Sequence, residues 1–186
     1  MYASCWDAAG NGNSGPVSIV TVNTGTPPVT AAMGGLIKAI CPPYYVNSDH
    51  PCRAVYYFGR DGRRHAFPHS NVYFTWYNDF SGVVEVSDSF LASVPLGRNV
   101  TYRPGIRLVK FTTVPHVYAV GRGGILRWVA TEEVAQQLYG YNWNTRVDDI
   151  ADVFYGNYTF GSDIWSTSQY SPSGETGIAP NIDANW

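Results

Sequence analysis

The sequence predicts an α+β protein of two tandem repeats, each a β-hairpin plus a short helix, with mostly antiparallel strands and extended N- and C-terminal arms. The stretch 54–68, AVYYFGRDGRRHAFP, recurs in altered form at 116–130, HVYAVGRGGILRWVA, and the shared Val, Tyr, Gly and Arg residues lie 62 positions apart. Asp61-Gly62 and Gly123-Gly124 fall at the same place between two apolar runs. Both dipeptides suit a two-residue type I′ turn, so each copy is predicted to be a hairpin.

A short helix is predicted after each hairpin. Val72 and Trp76 in the first copy, and Val134 and Leu138 in the second, are four residues apart, which places them on one helical face. Thr131 is a suitable N-cap for the second helix. The repeat divides the chain into an N-terminal arm (1–33), module one (34–105), module two (106–164) and a C-terminal tail (165–186).

Shorter patterns predict the remaining elements. Residues 83–87 and 99–103 have the composition of strands, and 148–155 is predicted to be a helical segment of module two. In the second hairpin, simple alternation places Val117, Ala119, Leu126 and Trp128 on one face and leaves another apolar face opposite. A hairpin that is apolar on both faces must be covered on both, by the sister module or by another subunit.

The N-terminal arm is rich in Gly, Ser, Thr, Asn and Pro and contains one β-prone run, VSIVTV, at 17–22. Val17, Ile19, Val20 and Val22 would place apolar side chains on both faces of such a strand. The run fits two roles equally well. It is either an edge strand of its own module or a donor strand that completes a sheet in a neighbouring subunit.

Composition narrows the class of partner. The net charge of −2 and the lack of a Lys/Arg run argue against a nucleic-acid partner. No apolar run approaches the roughly 20 residues of a membrane span, so membrane insertion is not expected.

Cys41 and Cys52 bracket a Pro-rich insertion, CPPYYVNSDHPC, that has no counterpart in module two. A disulfide between them, as in an exported protein, is the favoured interpretation, and two free thiols are the alternative. Cys5 is left over, either free or paired between chains.

The sequence contains no convincing catalytic constellation, and we expect neither an enzyme nor a bound cofactor. His65 and His69 have i, i+4 spacing, but Pro68 between them argues against a shared helical face and against a metal pair. The carboxylates of Asp148, Asp149 and Asp152 lack the glycine and glutamate of an EF-hand loop, so they are interpreted as helix-start residues rather than metal ligands.

Covalent and non-covalent glycans are both candidates. Asn99-Val-Thr and Asn157-Tyr-Thr match the N-glycosylation pattern and are interpreted as occupying equivalent places in the two modules. The aromatic cluster at 73–77, with Tyr56 and Tyr57, also suggests sugar binding by ring stacking, although most of these rings are expected in the core.

The strings AVYYFGRDGRRHAFP, FTWYNDFSGV, PLGRNVTYRPG and LRWVATEEVAQQLYG resemble a tandem module of uncharacterised S-layer-like cell-surface proteins that are abundant in candidate-phylum bacteria. The resemblance covers about 34–161. It implies a secreted protein, located outside the cell or at the cell surface. The insertion between Cys41 and Cys52 departs from the usual pattern of that family.

We therefore expect a structural protein, the subunit of an extracellular filament or surface layer that self-assembles through its terminal arms. Its partners would be copies of itself in a helical or layer polymer, with covalent glycans as an addition. The alternative is a monomeric carbohydrate-binding or adhesion module of the cell surface that uses exposed Tyr and Trp side chains.

Overall fold

A computed structural model describes residues 31–44 and 50–186, together with the backbone pairing of two short strands, β1 (Cys5–Trp6) and β2 (Gly12–Asn13). The predicted donor residues Val17, Ile19, Val20 and Val22 lie outside the described residues, and their role stays a prediction. The predicted α+β class is confirmed, because two sheets of mostly antiparallel strands are accompanied by a few short helices.

The first sheet lies within module one and has the strand order β5-β4-β3-β6. An antiparallel meander of β3, β4 and β5 is extended by β6, which pairs parallel to β3. The elements are β3 (Gly35–Ala39), β4 (Tyr56–Phe58), β5 (Arg64–Ala66), α1 (Ser70–Trp76), β6 (Val83–Val86) and α2 (Asp88–Ser93).

The second sheet repeats this plan in module two, with the order β10-β7-β8-β9-β11. Strands β7, β8 and β9 form the antiparallel meander, while β10 and β11 add in parallel at the two edges. The elements are β7 (Leu108–Phe111), β8 (Tyr118–Gly121), β9 (Ile125–Trp128), α3 (Glu132–Tyr139), β10 (Val147–Ile150), a 3-10 helix (Asp152–Asn157) and β11 (Thr159–Phe160).

Equivalent strands carry equivalent contacts. Lys38 on β3 pairs with Glu85 on β6 at 2.7 Å, and Lys110 on β7 pairs with Asp149 on β10 at 3.4 Å. Gly97 also donates its N–H to the carbonyl oxygen of Arg64, just as Gly161 does to Leu126. A Cβ at Gly97 would collide with the His65 ring, so this close approach requires glycine.

The two equivalent helices form for different reasons. Helix α3 has a Thr131 N-cap that accepts a hydrogen bond from the Val134 N–H, and two glutamates lie in its first turn. Helix α1 contains several β-branched and aromatic residues and has no side-chain cap. Its stability must therefore come from packing, in which Val72 and Tyr73 are buried.

Both hairpins are present, but the predicted type I′ turn is wrong for the first copy. That turn requires positive φ at Asp61, and in the described residues only glycines have positive φ. The first loop instead closes through the Gly62 N–H to the Gly59 carbonyl oxygen, with Gly62 at φ 75°. The second loop has three residues, Arg122 to Gly124, because Gly121 pairs with Ile125. The predicted two-residue turn is therefore wrong for the second copy as well, although Gly123 and Gly124 both have positive φ.

Three other local predictions are also wrong. Residues 99–103 form no strand, and 148–155 is not one helical segment, because β10 continues to Ile150 before a 3-10 helix begins at Asp152. The second hairpin also has different faces from those predicted. Tyr118 lies opposite Trp128, and Val120 opposite Leu126, so these four share a face, since directly opposed residues of an antiparallel pair point the same way.

The C-terminal tail is folded onto the two modules. It contains a 3-10 helix (Thr167–Gln169), α4 (Pro172–Ile178) and a last 3-10 helix (Asp183–Asn185). Within the described ranges, no helix is both long and apolar enough to cross a bilayer.

Candidate functional site

The two modules pack through unlike faces. We define face A as the side of each sheet that carries Leu36 and Tyr57 in module one and Leu108 and Ala119 in module two. Face B is the opposite side. The shared core between the modules joins face A of module one to face B of module two. Its members from module one include Leu36, Tyr57, Val72, Tyr73 and Val100, and those from module two include Val109, Phe111, Tyr118, Val120, Leu126, Ile150 and Tyr158.

This pairing is heterologous, because repeat-equivalent residues never meet each other across the interface. Val72 lies in the shared core, whereas its counterpart Val134 lies in an outer core on face A of module two. Conversely, Val120 lies in the shared core, and its counterpart Phe58 faces outward from module one. A heterologous pair leaves two different faces at its two ends.

At one end, the disulfide-closed insertion covers face B of module one. The structure contains the Cys41–Cys52 disulfide, with the two Cα atoms 5.2 Å apart. The Cys52 side chain is buried against this face together with Ala31. The face itself is formed by Ile37, Ala39, Phe58 and Val86, and Leu91 and Val94 from α2 and its C-terminal end also pack on it.

At the other end, the tail covers face A of module two. Tyr170 is buried there among Leu108, Ala119, Val134 and Ile164. The Tyr170 hydroxyl donates to the Val120 carbonyl oxygen at 2.8 Å and accepts from the Tyr139 hydroxyl at 3.3 Å. Burial raises the pKa of Tyr139 to about 12. The Tyr139 hydroxyl is therefore protonated at physiological pH and donates to the Tyr170 hydroxyl.

The tail also binds the hairpin turn of each module. The Arg60 N–H donates to Asp183 Oδ1 at 3.0 Å, and the Arg122 N–H, at the equivalent position 62 residues later, donates to Glu175 Oε2 at 2.9 Å. Asp183 also accepts a 2.6 Å hydrogen bond from the Tyr57 hydroxyl. Burial and this carboxylate raise the Tyr57 pKa. The same turn amide is thus bound by a tail carboxylate in both copies.

The last residues of the tail enter the space between the modules. Ile182 is buried in the shared core, and Trp186 packs against it. The Trp186 ring stacks on His65 at 4.7 Å, while the Arg98 guanidinium lies 4.1 Å from the ring centre. Asn185 bridges the modules by donating to Thr101 Oγ1 and accepting from the Gly123 N–H. These contacts could not be predicted from the sequence, because the tail has the composition of a flexible arm.

Both glycosylation candidates, Asn99 and Asn157, line a hollow of about 410 Å³ beside Trp186. Asn99 Nδ2 donates to Asn157 Oδ1 at 3.3 Å, and Asn157 Nδ2 is buried. Attachment of a glycan to that atom would require local rearrangement.

The two asparagines are also not equivalent by position. The Val100 N–H donates to the Ala66 carbonyl oxygen, and the Ile164 N–H donates to the carbonyl oxygen of Trp128, the residue equivalent to Ala66. Val100 and Ile164 are therefore equivalent, and the counterpart of Asn99 is Asp163.

A row of aromatic rings in module two runs from the exposed Tyr155 to the exposed Trp165 and includes Tyr118, a buried member of the shared core. We call this set the aromatic row: Tyr155, Phe160, Tyr118, His116, Trp128 and Trp165. Consecutive rings lie 4.8–6.2 Å apart between centroids. Trp165 is 61% exposed and Tyr155 53% exposed, so the row presents aromatic surface to solvent.

The residues weighed for catalysis or metal binding have other partners. His65 is buried between the Arg98 carbonyl oxygen and the Asp61 carboxylate, and His69 is the N-cap residue of α1. Asp148 is bound by the Arg107 guanidinium. The interpretation of Asp148 and Asp149 as helix-start residues is wrong, because both lie on β10. In the described ranges, no three His, Cys, Asp or Glu residues are grouped to hold a metal ion.

Comparison with known proteins gives no relative for this chain. No family model matches it, and neither a curated protein nor a solved structure matches it significantly. The resemblance to S-layer-like modules therefore stays a prediction, and the function has to be argued from the geometry alone.

Proposed function

We propose that this chain is a structural subunit of an extracellular filament or surface layer, with copies of itself as partners. The observation that carries the proposal is the heterologous packing of its two modules. Because unlike faces meet, the pair of modules has no two-fold symmetry. A contact that the arm of one copy makes with the next copy then joins two different surfaces, and such a contact builds an open row rather than a closed dimer.

Both bare module faces are covered within one chain, by the disulfide insertion and by the tail. Direct stacking of modules from different copies is therefore blocked, as it is by the capping units of repeat proteins. The tail 165–186 is bound to its own modules, which leaves the N-terminal arm as the element that joins copies. The donor residues Val17, Ile19, Val20 and Val22 belong to that arm.

The disulfide supports the extracellular part of the proposal. A Cys41–Cys52 bond persists in oxidising compartments and is uncommon in the cytosol of mesophiles. It also orders an insertion that covers an apolar face. Secretion follows as part of the same proposal.

Removing residues 1–30 tests the role of the arm while sparing Ala31, which is buried against face B of module one. By multi-angle light scattering, we expect polymers from the full-length chain and monomers from the shortened chain. Circular dichroism checks that the shortened chain is folded. Polymers of unchanged mass from the shortened chain would contradict assembly through the arm.

The aromatic row favours a second candidate function, carbohydrate binding by a monomeric cell-surface module. Exposed aromatic rings are suited to stacking on sugar rings, and the row offers Tyr155 and Phe160 at one end and Trp165 at the other. A glycan array with the full-length chain tests this candidate. Trp165→Ala should abolish binding if the row is the site, whereas Tyr141→Ala, which removes an exposed tyrosine outside the row, should preserve it.

A further inference from the structure

Equivalent edge strands of the two sheets differ in chemistry. Strands β6 and β10 each lie at the end of their sheet, and among residues 31–44 and 50–186 neither pairs with a strand on its outer side. The sequence of β6 is Val-Val-Glu-Val and that of β10 is Val-Asp-Asp-Ile. The difference decides which edge accepts another strand.

Strand β10 is protected by charge. Asp148 is bound by the Arg107 guanidinium, and Asp149 is exposed and paired with Lys110. Strand β10 thus has a carboxylate on each face, whereas β6 has Val84 at the position of Asp148 and only one carboxylate, Glu85. Charged side chains are a common means by which edge strands resist pairing. We therefore exclude β10 as an acceptor.

Strand β6 carries one charge, Glu85, which pairs with Lys38, and valines at its other three positions. Val83 packs partly against the shared core, and Val84 packs partly against the apolar cluster on face B of module one. Each remains half-buried. Next to Val83 lies a hollow of about 390 Å³, whose walls combine Val55 and Phe80 with the charged side chains of Lys38, Arg53 and Glu85. Phe80 is 53% exposed. The edge thus offers unpaired backbone and uncovered apolar side chains together.

We propose that the edge of β6 accepts residues 17–22 from the N-terminal arm of a second copy as an added strand. The inference rests on the proposed function and names its acceptor. Val17 and Ile19 would supply one apolar face and Val20 and Val22 the other, which matches an edge whose two faces are both incompletely covered. The segment carries no charge, and its backbone supplies the hydrogen bonds that β6 lacks.

Donation between chains, rather than within one chain, is what a polymer requires. About nine residues separate Val22 from the buried Ala31, and an extended chain of that length spans about 30 Å. That reach allows a neighbour's edge as well as the chain's own edge. The experiment must therefore separate the two.

The first test blocks the edge. Val84→Lys places a charge on β6, while the aliphatic stem of lysine retains part of the packing. The matched control is Thr159→Lys, which puts the same charge on the exposed edge strand β11. Val84→Lys should abolish polymers in light scattering, with a thermal midpoint and circular dichroism spectrum like those of the control. Polymers from a folded Val84→Lys chain would overturn the proposal.

The second test does not depend on how that variant folds. In a Cys5→Ser background, cysteine is placed in turn at Val17, Ile19, Val20 and Val22. Each chain is mixed with a differently tagged chain carrying Val84→Cys, assembled and oxidised. A chain that carries both the arm cysteine and Val84→Cys is oxidised in parallel to detect cross-links within one chain. Because alternate residues of a strand face opposite ways, disulfide-linked heterodimers should form from positions of one parity only.

The outcomes separate this inference from the function on which it rests. If filaments form but no position yields heterodimers, β6 is not the acceptor and the filament proposal stands. If cross-links close only within chains that carry both cysteines, the arm binds its own edge and donation between copies is wrong. If the unmodified full-length chain forms no polymer, the function and the acceptor both fail.

Discussion

Module one and module two contain the same meander and helix, yet they present opposite faces to the core they share. Tyr57 and Ala119 are equivalent by position, but Tyr57 fills the shared core and Ala119 lies under the tail. In this repeat, the residue at a given position therefore depends on what packs against it and not on its place in the module. It also explains why one module is covered by an insertion and the other by the tail.

The largest expected effect comes from the tail residue that enters the shared core. Ile182→Ala should lower the free energy of unfolding by about 2–5 kcal/mol, because Ile182 is 1% exposed among residues of both modules. The matched control Ile178→Ala removes a side chain that is 54% exposed and should cost about 0.5 kcal/mol or less. Urea unfolding measures both. Equal losses would mean that the tail is peripheral.

The disulfide should contribute slightly less. Replacing Cys41 and Cys52 together by serine should destabilise the protein by about 2–3 kcal/mol, since the bond closes a short loop and Cys52 is buried under face B of module one. The comparison is with Cys5→Ser, which leaves the bond intact. A double variant as stable as that control would contradict a covering role for the insertion.

Tail carboxylates at the two equivalent turns should differ in strength. Asp183→Ala removes acceptors for both the Arg60 N–H and the buried Tyr57 hydroxyl and should cost about 1.5–3 kcal/mol. Glu175→Ala loses one exposed hydrogen bond to the Arg122 N–H and should cost about 0.5–1 kcal/mol. Thermal unfolding of both variants ranks them, and the reverse order would contradict this account of the tail.

The smallest effect concerns pH. Burial lowers the pKa of His69, with Asp148 acting in the opposite direction. The unfolded state therefore binds the proton more readily than the folded state does. The stability contributed by neutral His69 is fully present above about pH 6.5, the pKa of an unperturbed histidine, and is lost as the pH falls from there through the lower pKa of the folded state. NMR titration should find that lower pKa, and His69→Gln should flatten the stability profile between pH 7 and pH 5. A profile unchanged by His69→Gln would remove His69 as its source.

Local features of the fold were predictable from the sequence. The 62-residue echo locates both hairpins, Thr131 marks the start of α3, and the two cysteines that bracket the insertion indicate the disulfide. Each of these signals involves residues close in sequence or a direct repetition. The turn type of the first hairpin was not predictable in this way, because Asp-Gly fits several turns.

The contacts between modules could not be predicted. A repeat shows which residues are apolar in both copies, but it does not say which face of one copy meets which face of the other. The Asp183 contacts with Tyr57 and Arg60 span more than 120 residues of chain. The tail is rich in Ser, Gly, Pro and Asn, and Trp186 is the one weak sign in its sequence that it packs against the modules, because a large aromatic residue is unusual in a solvated segment.

Assembly through the N-terminal arm is best tested by negative-stain electron microscopy of the purified full-length chain, imaged beside the chain that lacks residues 1–30. We expect filaments or sheets of regular repeat from the full-length chain and dispersed particles of monomer size from the shortened one. Dispersed monomers from both chains, at concentrations where light scattering also finds no polymer, would contradict it.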